Sequence, residues 1–225
     1  MIGLENVSYG YGGSELLSDV SLHLGPGSFH FLTGPSGSGK TTFLKLCYAE
    51  LIATAGVVRL FDRDAGTMSR DDIARVRRRV GMVHQDCQFL DHLSLRDNIA
   101  LPLQVAGRDI TQEAQNLDDL IAWVGLTGRS KALPAELSGG ERQRAALARA
   151  VIMAPDVILA DEPTGNIDWE MSLRLLRLLT ELNKTGKTIL IATHDLNLIR
   201  TAKNEVPVRV LRIRNRRLQL AGTEL

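Results

Sequence analysis

The chain has 225 residues, 44% of them hydrophobic, enough for one large α/β domain or two small ones with a substantial core. Lys+Arg 27 against Asp+Glu 26 leaves a net charge of +1, and aromatics are only 4%; a basic field and a base-stacking surface are both missing, so nucleic acid is not an expected partner. Two cysteines, Cys47 and Cys87, support no disulfide framework and point to a reducing compartment.

The N-terminal residues 1–6 carry neither a basic region nor a long apolar one, so no signal peptide is expected. No run of 18 apolar residues occurs; contact with a membrane is expected only through a partner. Tyr9 and Tyr11 fall in a Gly-rich turn. Residues 20–24 alternate as a half-buried strand, and Gly25-Pro26-Gly27 breaks the chain. Residues 29–32 read as a buried strand. In 42–51, Phe43, Cys47 and Leu51 recur at helical spacing, with Cys47 as a small core residue. Residues 57–61 suggest another strand. Residues 69–79 open on Asp71 and Asp72 and close on Arg75, Arg77, Arg78 and Arg79, a charge order that suits a helix dipole, with the arginines on a solvated face.

Residues 81–84 read as a strand leading into Gln85. From about 94 to 134 the pattern is helical, with breaks at Pro102, Gly107, Gly125, Gly128 and Pro134, and a strong helix follows over 142–153. Residues 157–160 and 188–192 are continuous apolar runs, as in strands buried on both faces of a parallel sheet. Between them Met171, Leu175, Leu178, Leu179 and Leu182 form one helical stripe. Residues 206–220 read as an edge hairpin turning at Asn215. His23, His30, His84 and His92 fit no ligand spacing, and no zinc site is expected.

The chemistry concentrates in Gly34-Pro35-Ser36-Gly37-Ser38-Gly39-Lys40-Thr41, which fits the phosphate-binding pattern G-x-x-x-x-G-K-[ST] between a strand and a helix. Glycines let several backbone N–H groups face one anion, and the helix start adds its positive end. Lys40 suits the β- and γ-phosphates and the Thr41 hydroxyl suits Mg²⁺. The strand 157–160 ends in Asp161-Glu162, where parallel sheets bind ligands. Such a pair alone reads as a helix cap. Beside 34–41 it reads as a magnesium ligand, Asp161, and a residue for the attacking water, Glu162. Ser138 and Glu141 form a capping box, yet Gly139-Gly140 at the same helix start is also an open anion site.

Leu137-Ser138-Gly139-Gly140-Glu141-Arg142-Gln143-Arg144 resembles the signature sequence of ABC-type ATPases, and the family's other motifs follow in order along the whole chain. The resemblance implies an α/β P-loop NTPase fold. It has a mainly parallel core sheet, an antiparallel β edge and an inserted helical subdomain. Residues 1–85 and 155–225 would be the nucleotide-binding core and about 86–154 the helical subdomain. It implies ATP hydrolysis with ATP and Mg²⁺. Tyr11 would stack on adenine, with 34–41 and Thr42 on the phosphates. Gln85 would sense the magnesium and touch a membrane partner. Thr41, Gln85 and Asp161 would serve the metal, and Glu162, His194, Gln85 and Lys40 the reaction. Ser138, Gly139, Gly140, Glu141 and Asp168 would complete the nucleotide site of a second copy, in a head-to-tail homodimer. Asp161-Glu162-Pro163-Thr164-Gly165-Asn166-Ile167-Asp168 is similar to the form in the cell-division, lipoprotein-release and macrolide-efflux branches. Further short similarities favour the cell-division branch. That branch implies a peripheral subunit on the cytoplasmic face of the bacterial inner membrane, acting through an integral partner on peptidoglycan hydrolases. A soluble family member acting on DNA or ribosomes is the reading of another class, disfavoured by the balanced charge. His84 stands where the family usually has Phe.

Overall fold

A computed structural model describes residues 1–165 and 167–221. Asn166, within the motif after the carboxylate strand, and residues 222–225 lie outside the described residues. The chain runs β1 (Ile2–Tyr11), β2 (Ser14–Leu24), β3 (Phe29–Thr33), α1 (Lys40–Cys47), β4 (Ala55–Leu60), β5 (Arg63–Asp64), α2 (Arg70–Arg77) and β6 (Val80–Val83). Then come α3 (Leu95–Val105), α4 (Ala114–Trp123), α5 (Gly139–Val151), β7 (Val157–Asp161), α6 (Trp169–Lys184), β8 (Thr188–Ala192), α7 (Leu196–Lys203), β9 (Val208–Arg214) and β10 (Arg217–Leu220).

Two sheets result. The antiparallel one has strand order β2-β1-β4-β5; the other, β10-β9-β3-β8-β7-β6, is parallel except for β10. Every residue of β3, β7 and β8 is buried, which explains their uninterrupted apolar sequence. Their side chains alternate between two cores. Leu32, Leu159 and Leu190 meet the antiparallel sheet and Phe43, Leu44 and Cys47 of α1. Phe31, Ile158, Ile189 and Ile191 meet α5, α6 and α7 through Leu147, Leu175, Leu179 and Ile199. A third cluster joins α3, α4 and α5 through Leu95, Ile99, Leu117, Ile121, Ala145 and Ala148. Each fully buried Leu or Ile in these layers contributes about 1.5–3 kcal/mol. The β9–β10 hairpin turns at Asn215 and Arg216, both with positive φ, as a two-residue turn requires.

Several sequence expectations are corrected. Tyr9 and Tyr11 stand on β1, not in a turn; the turn is Gly12-Gly13. A register shift between Leu4 and Val7, with Asn6 at φ 49°, breaks the alternation that would have disclosed the strand. Helix α1 ends at Cys47, because Ala49 is left-handed at φ 57°, so Leu51 lies beyond it. Pro102 does not break the helix: α3 passes through it and ends one residue past Gln104, where a single missing N–H is tolerated. The signature helix begins at Gly139 rather than 142. The arginines at the end of α2 and just beyond it are only partly a solvated face. Arg77 donates to the Tyr48 and Ala49 carbonyls behind α1, while Arg79 pairs with Asp156 at 2.7 Å and covers the Phe61 ring at 3.7 Å.

Candidate nucleotide site

Gly34, Pro35, Ser36, Gly37, Gly39, Lys40, Thr41 and Thr42 line one cleft of about 540 Å³, together with Gln85, Asp161, Glu162 and His194. The parallel sheet makes this convergence. Strands β3, β7 and β8 are neighbours, so the loops leaving their C-terminal ends share one edge. The loop after β3 curls into α1, whose first amides have no side-chain cap and are free for an anion. Gly39 is required there: its φ is 102°, and a Cβ would stand 3.1 Å from Leu17 and 3.2 Å from Leu16. At Gly37, φ 74°, a Cβ would meet nothing within 4 Å, so the backbone lies open to the cleft.

The Lys40 ammonium donates to the Gly34 carbonyl at 3.0 Å and the Pro35 carbonyl at 3.4 Å, and lies 3.6 Å from the Glu162 carboxylate. Glu162 stands at φ 43°, a left-handed turn immediately after β7, and its amide donates to the Ala192 carbonyl at 2.8 Å. That turn aims its second carboxylate oxygen at His194 Nδ1, 3.0 Å away. Asp161 is buried. Burial holds its carboxyl above the usual carboxylate range, opposed by a hydrogen bond from Thr41 and by Lys40. Its Oδ1 meets no hydrogen-bond partner, an orphan that a divalent cation beside the Thr41 hydroxyl would satisfy.

The other expected residues stand apart from this cleft. Tyr11 is half exposed and packs edge-on against Tyr9, with ring centroids 5.0 Å apart. The Ser38 hydroxyl is buried and unpartnered, and a Cβ on Gly34 would sit 2.6 Å from it. Ser138 caps α5 through the Glu141 amide at 3.3 Å, and the Ser138 amide donates to the Glu141 carboxylate at 2.8 Å. Glu141 is also paired with Arg129. Gly139 lines a second cavity of about 440 Å³ that it shares with Gln85. Gly140 is not bare: it is buried, and a Cβ there would stand 3.0 Å from Met171 Cγ on α6. Asp168 caps α6 at the Met171 amide, 2.9 Å.

The roles of three residues in this region escaped the sequence reading. Leu16 forms a wall of the cleft, brought there by β2, and nothing in the sequence marks it. Gln143 and Arg149 project from α5 to the loop after β6. Gln143 donates to the Gln85 carbonyl at 3.1 Å. Arg149 donates to the carbonyls of Cys87 and Gln88 and covers the Phe89 ring. Their signal was legible as two polar positions on a buried, alanine-rich helix.

The family model for ABC transporters matches residues 17–165. The chain belongs to the ABC transporter family. It is an ATP-binding, ATP-hydrolysing cassette. The curated cell-division ATP-binding protein FtsE of Escherichia coli K12 is 42% identical over 200 residues, spanning 88% of this chain and 90% of that one. FtsE of Bacillus subtilis is 36% identical over 207 residues, 92% of this chain and 91% of that one. Among solved structures, the dimeric post-hydrolysis state of the ATP-binding cassette MJ0796 bound to ADP and Pi superposes with a TM-score of 0.87 at 30% identity, covering 97% of both chains. A second dimeric structure of that bacterial ABC transporter cassette gives 0.86 at the same identity and coverage. Among the described residues, no helix of this cassette is long and apolar enough to cross a membrane.

Proposed function

We propose that the cassette is the ATPase subunit of an FtsE–FtsX type complex in bacterial cell division. The observation that carries the hydrolytic part is the meeting of Lys40, Asp161, Glu162 and His194 in one cleft lined by the phosphate loop. Lys40 exchanges its loop carbonyls for phosphate oxygens. Glu162 accepts a proton from the water that attacks the γ-phosphorus, and ADP and phosphate leave. His194 orients the Glu162 carboxylate and reaches toward the γ-phosphate. Thr41, Asp161 and Gln85 would hold Mg²⁺, which when bound neutralises charge on the phosphates. Tyr11 is assigned to the adenine.

The remaining nucleotide residues act in a second copy. Ser138, Gly139, Gly140 and Glu141, with Asp168, would close the triphosphate from the opposite side, so that ATP joins two cassettes and hydrolysis separates them. Gly140 takes part as backbone, its Cα side being closed by Met171. Residues 1–85 and 155–225 are taken as the nucleotide-binding core and about 86–154 as the helical subdomain.

The integral partner proposed is FtsX, with the cassette held at the cytoplasmic face of the inner membrane and peptidoglycan hydrolase regulators driven across it. A groove of about 500 Å³ beside His84 and Gln88 supports a docked membrane-protein segment. It is walled by Met82, His84, Leu101, Val105 and Arg149, and Val105 is 76% exposed. The lipoprotein-release and efflux branches, LolD-like and MacB-like, are not favoured beside the FtsE relatives. Copurification from membranes tests the assignment. Recovery of an FtsX-like protein, lost on Val105→Asp, is expected; recovery of lipoprotein-sorting subunits instead would overturn it.

A further inference from the structure

Residues 206–221 contain five arginines, Arg209, Arg212, Arg214, Arg216 and Arg217, and no carboxylate. The whole chain carries +1, so the rest of it carries −4, a field that opposes a nucleotide anion. Several exposed arginines elsewhere stand against carboxylates: Arg59 against Glu5 at 3.1 Å, Arg63 against Asp72 at 2.9 Å, Arg108 against Glu113 at 3.1 Å. Among the described residues, the only ion pair of the hairpin arginines is Arg216 with Glu15, at 4.0 Å and exposed on both sides, a pair worth little. Charge does keep the edge strand β10 from pairing with another chain. Either sign would do that, so edge protection does not explain five charges of one sign.

The hairpin carries three of these arginines to the rim of the phosphate cleft. Strand β9 runs parallel to β3, and Arg212 lies opposite Thr33, the last residue before Gly34. The phosphate loop therefore leaves the sheet beside residues 213–214, and a Cβ on Gly34 would stand 3.0 Å from the Ile213 carbonyl oxygen. The turn is then tied to β2, where the Ser18 N–H donates to the Arg216 carbonyl at 2.8 Å. Leu16, two residues before Ser18, walls the cleft. Arg214, Arg216 and Arg217 are exposed, and none of them lines the cleft itself.

We propose that Arg214, Arg216 and Arg217 form an electrostatic collector that speeds capture of Mg·ATP by the phosphate loop without holding it once bound. The proposal rests on the reading of residues 34–41 as the phosphate site. Mg·ATP keeps a net negative charge, and guanidinium groups stay charged at any working pH. Their field reaches about 10 Å at 0.1 M salt and about 3 Å at 1 M. Charges at a rim raise the encounter rate and leave departure almost untouched.

Stopped-flow binding of a fluorescent ATP analogue with Mg²⁺ tests this on the full-length chain, comparing wild type with Arg214→Gln/Arg216→Gln/Arg217→Gln. At about 10 mM ionic strength the association rate should fall about 5- to 10-fold with dissociation unchanged, and the gap should close at about 0.5 M salt. The matching ADP analogue, with less charge, should show a smaller gap. Arg214→Lys/Arg216→Lys/Arg217→Lys should keep the wild-type rate, since charge and not guanidinium shape acts. Equal association rates for wild type and the glutamine variant overturn the collector and leave the phosphate site standing. A faster dissociation at every salt concentration also overturns it, and makes these arginines contact residues. A wild-type association rate indifferent to salt refutes it even if the glutamine variant does not fold. Binding to phosphatidylglycerol vesicles that the glutamine variant loses, with its association rate unchanged, refutes it in favour of a membrane surface. Absence of any nucleotide signal from wild type removes the phosphate site and the collector together.

Discussion

His194 holds one oxygen of the Glu162 carboxylate from two directions: its Nδ1 lies 3.0 Å away and its backbone N–H 3.4 Å away. The other oxygen lies 3.6 Å from the Lys40 ammonium. A carboxylate fixed at both ends cannot swing, so its free lone pairs keep one direction, into the cleft. Glu162→Gln preserves the shape and removes the proton acceptor. Phosphate release should fall by about 10²–10⁴-fold while Mg·ATP-dependent dimerisation persists. Steady-state phosphate release beside gel filtration checks both halves; normal turnover would remove Glu162 from the mechanism.

Lys40→Ala removes the only side-chain ammonium that lines the cleft among the described residues. It also leaves the Glu162 oxygen without its cation. Charge-assisted contacts to phosphate are worth about 1.5–3 kcal/mol, so ATP affinity should fall by about 10- to 100-fold. Titration with a fluorescent ATP analogue measures it, and unchanged affinity would contradict the assignment.

Arg149 ties the signature helix to the loop after β6, next to Gln85. The loop residues Cys87 and Gln88 are held at positive φ, 58° and 47°, a conformation that persists only under external restraint. Arg149→Lys keeps the charge but cannot span two carbonyls with a planar fork. Hydrogen exchange at 85–89 should speed up while the α6 and β8 amides keep their protection. If protection at 85–89 is unchanged, Arg149 does not restrain the loop.

Gly81 is glycine for packing. A Cβ there would stand 2.3 Å from the Ala150 carbonyl oxygen, backbone against backbone, where β6 passes under α5. Neither element can yield without breaking its own ladder. Gly81→Ala should destabilise the fold by about 3 kcal/mol, read as a lower urea midpoint with unchanged slope.

The parallel strands and the phosphate loop were legible because their signals are local. Continuous apolar runs at 157–160 and 188–192 mark strands buried on both faces, and the glycines of 34–41 sit between a strand and a helix. Strand β1 was not legible, since the shift between Leu4 and Val7 moves its core residues from one parity to the other. Leu16 was not legible as a cleft wall because only the pairing of β2 with β1 carries it over Gly39. Gly140 was read as open to a ligand, but sequence spacing does not say that Met171, thirty-one residues on, closes one side. A local irregularity accounts for the first of these misses, and contacts between separate elements for the other two.

His30 gives a pH prediction. It is 1% exposed on β3, and neither ring nitrogen has a hydrogen-bond partner. Burial first, and Arg209 across the β3–β9 register second, lower its pKa from 6.5 to about 4. Between those values the unfolded chain binds a proton that the folded chain refuses. Stability linked to His30 is therefore fully present above about pH 6.5. It declines as pH falls toward 4, by at most about 1.4 kcal/mol per pH unit for one proton, and is flat below. His30→Leu has a similar volume, titrates nothing and leaves no unpaired nitrogens. Urea midpoints measured at intervals from pH 7 to pH 4 should fall less steeply for the variant and lie above wild type at pH 7. Parallel curves for the two proteins would mean that His30 is hydrated or paired in solution, and that its burial does not set the acid limb of stability.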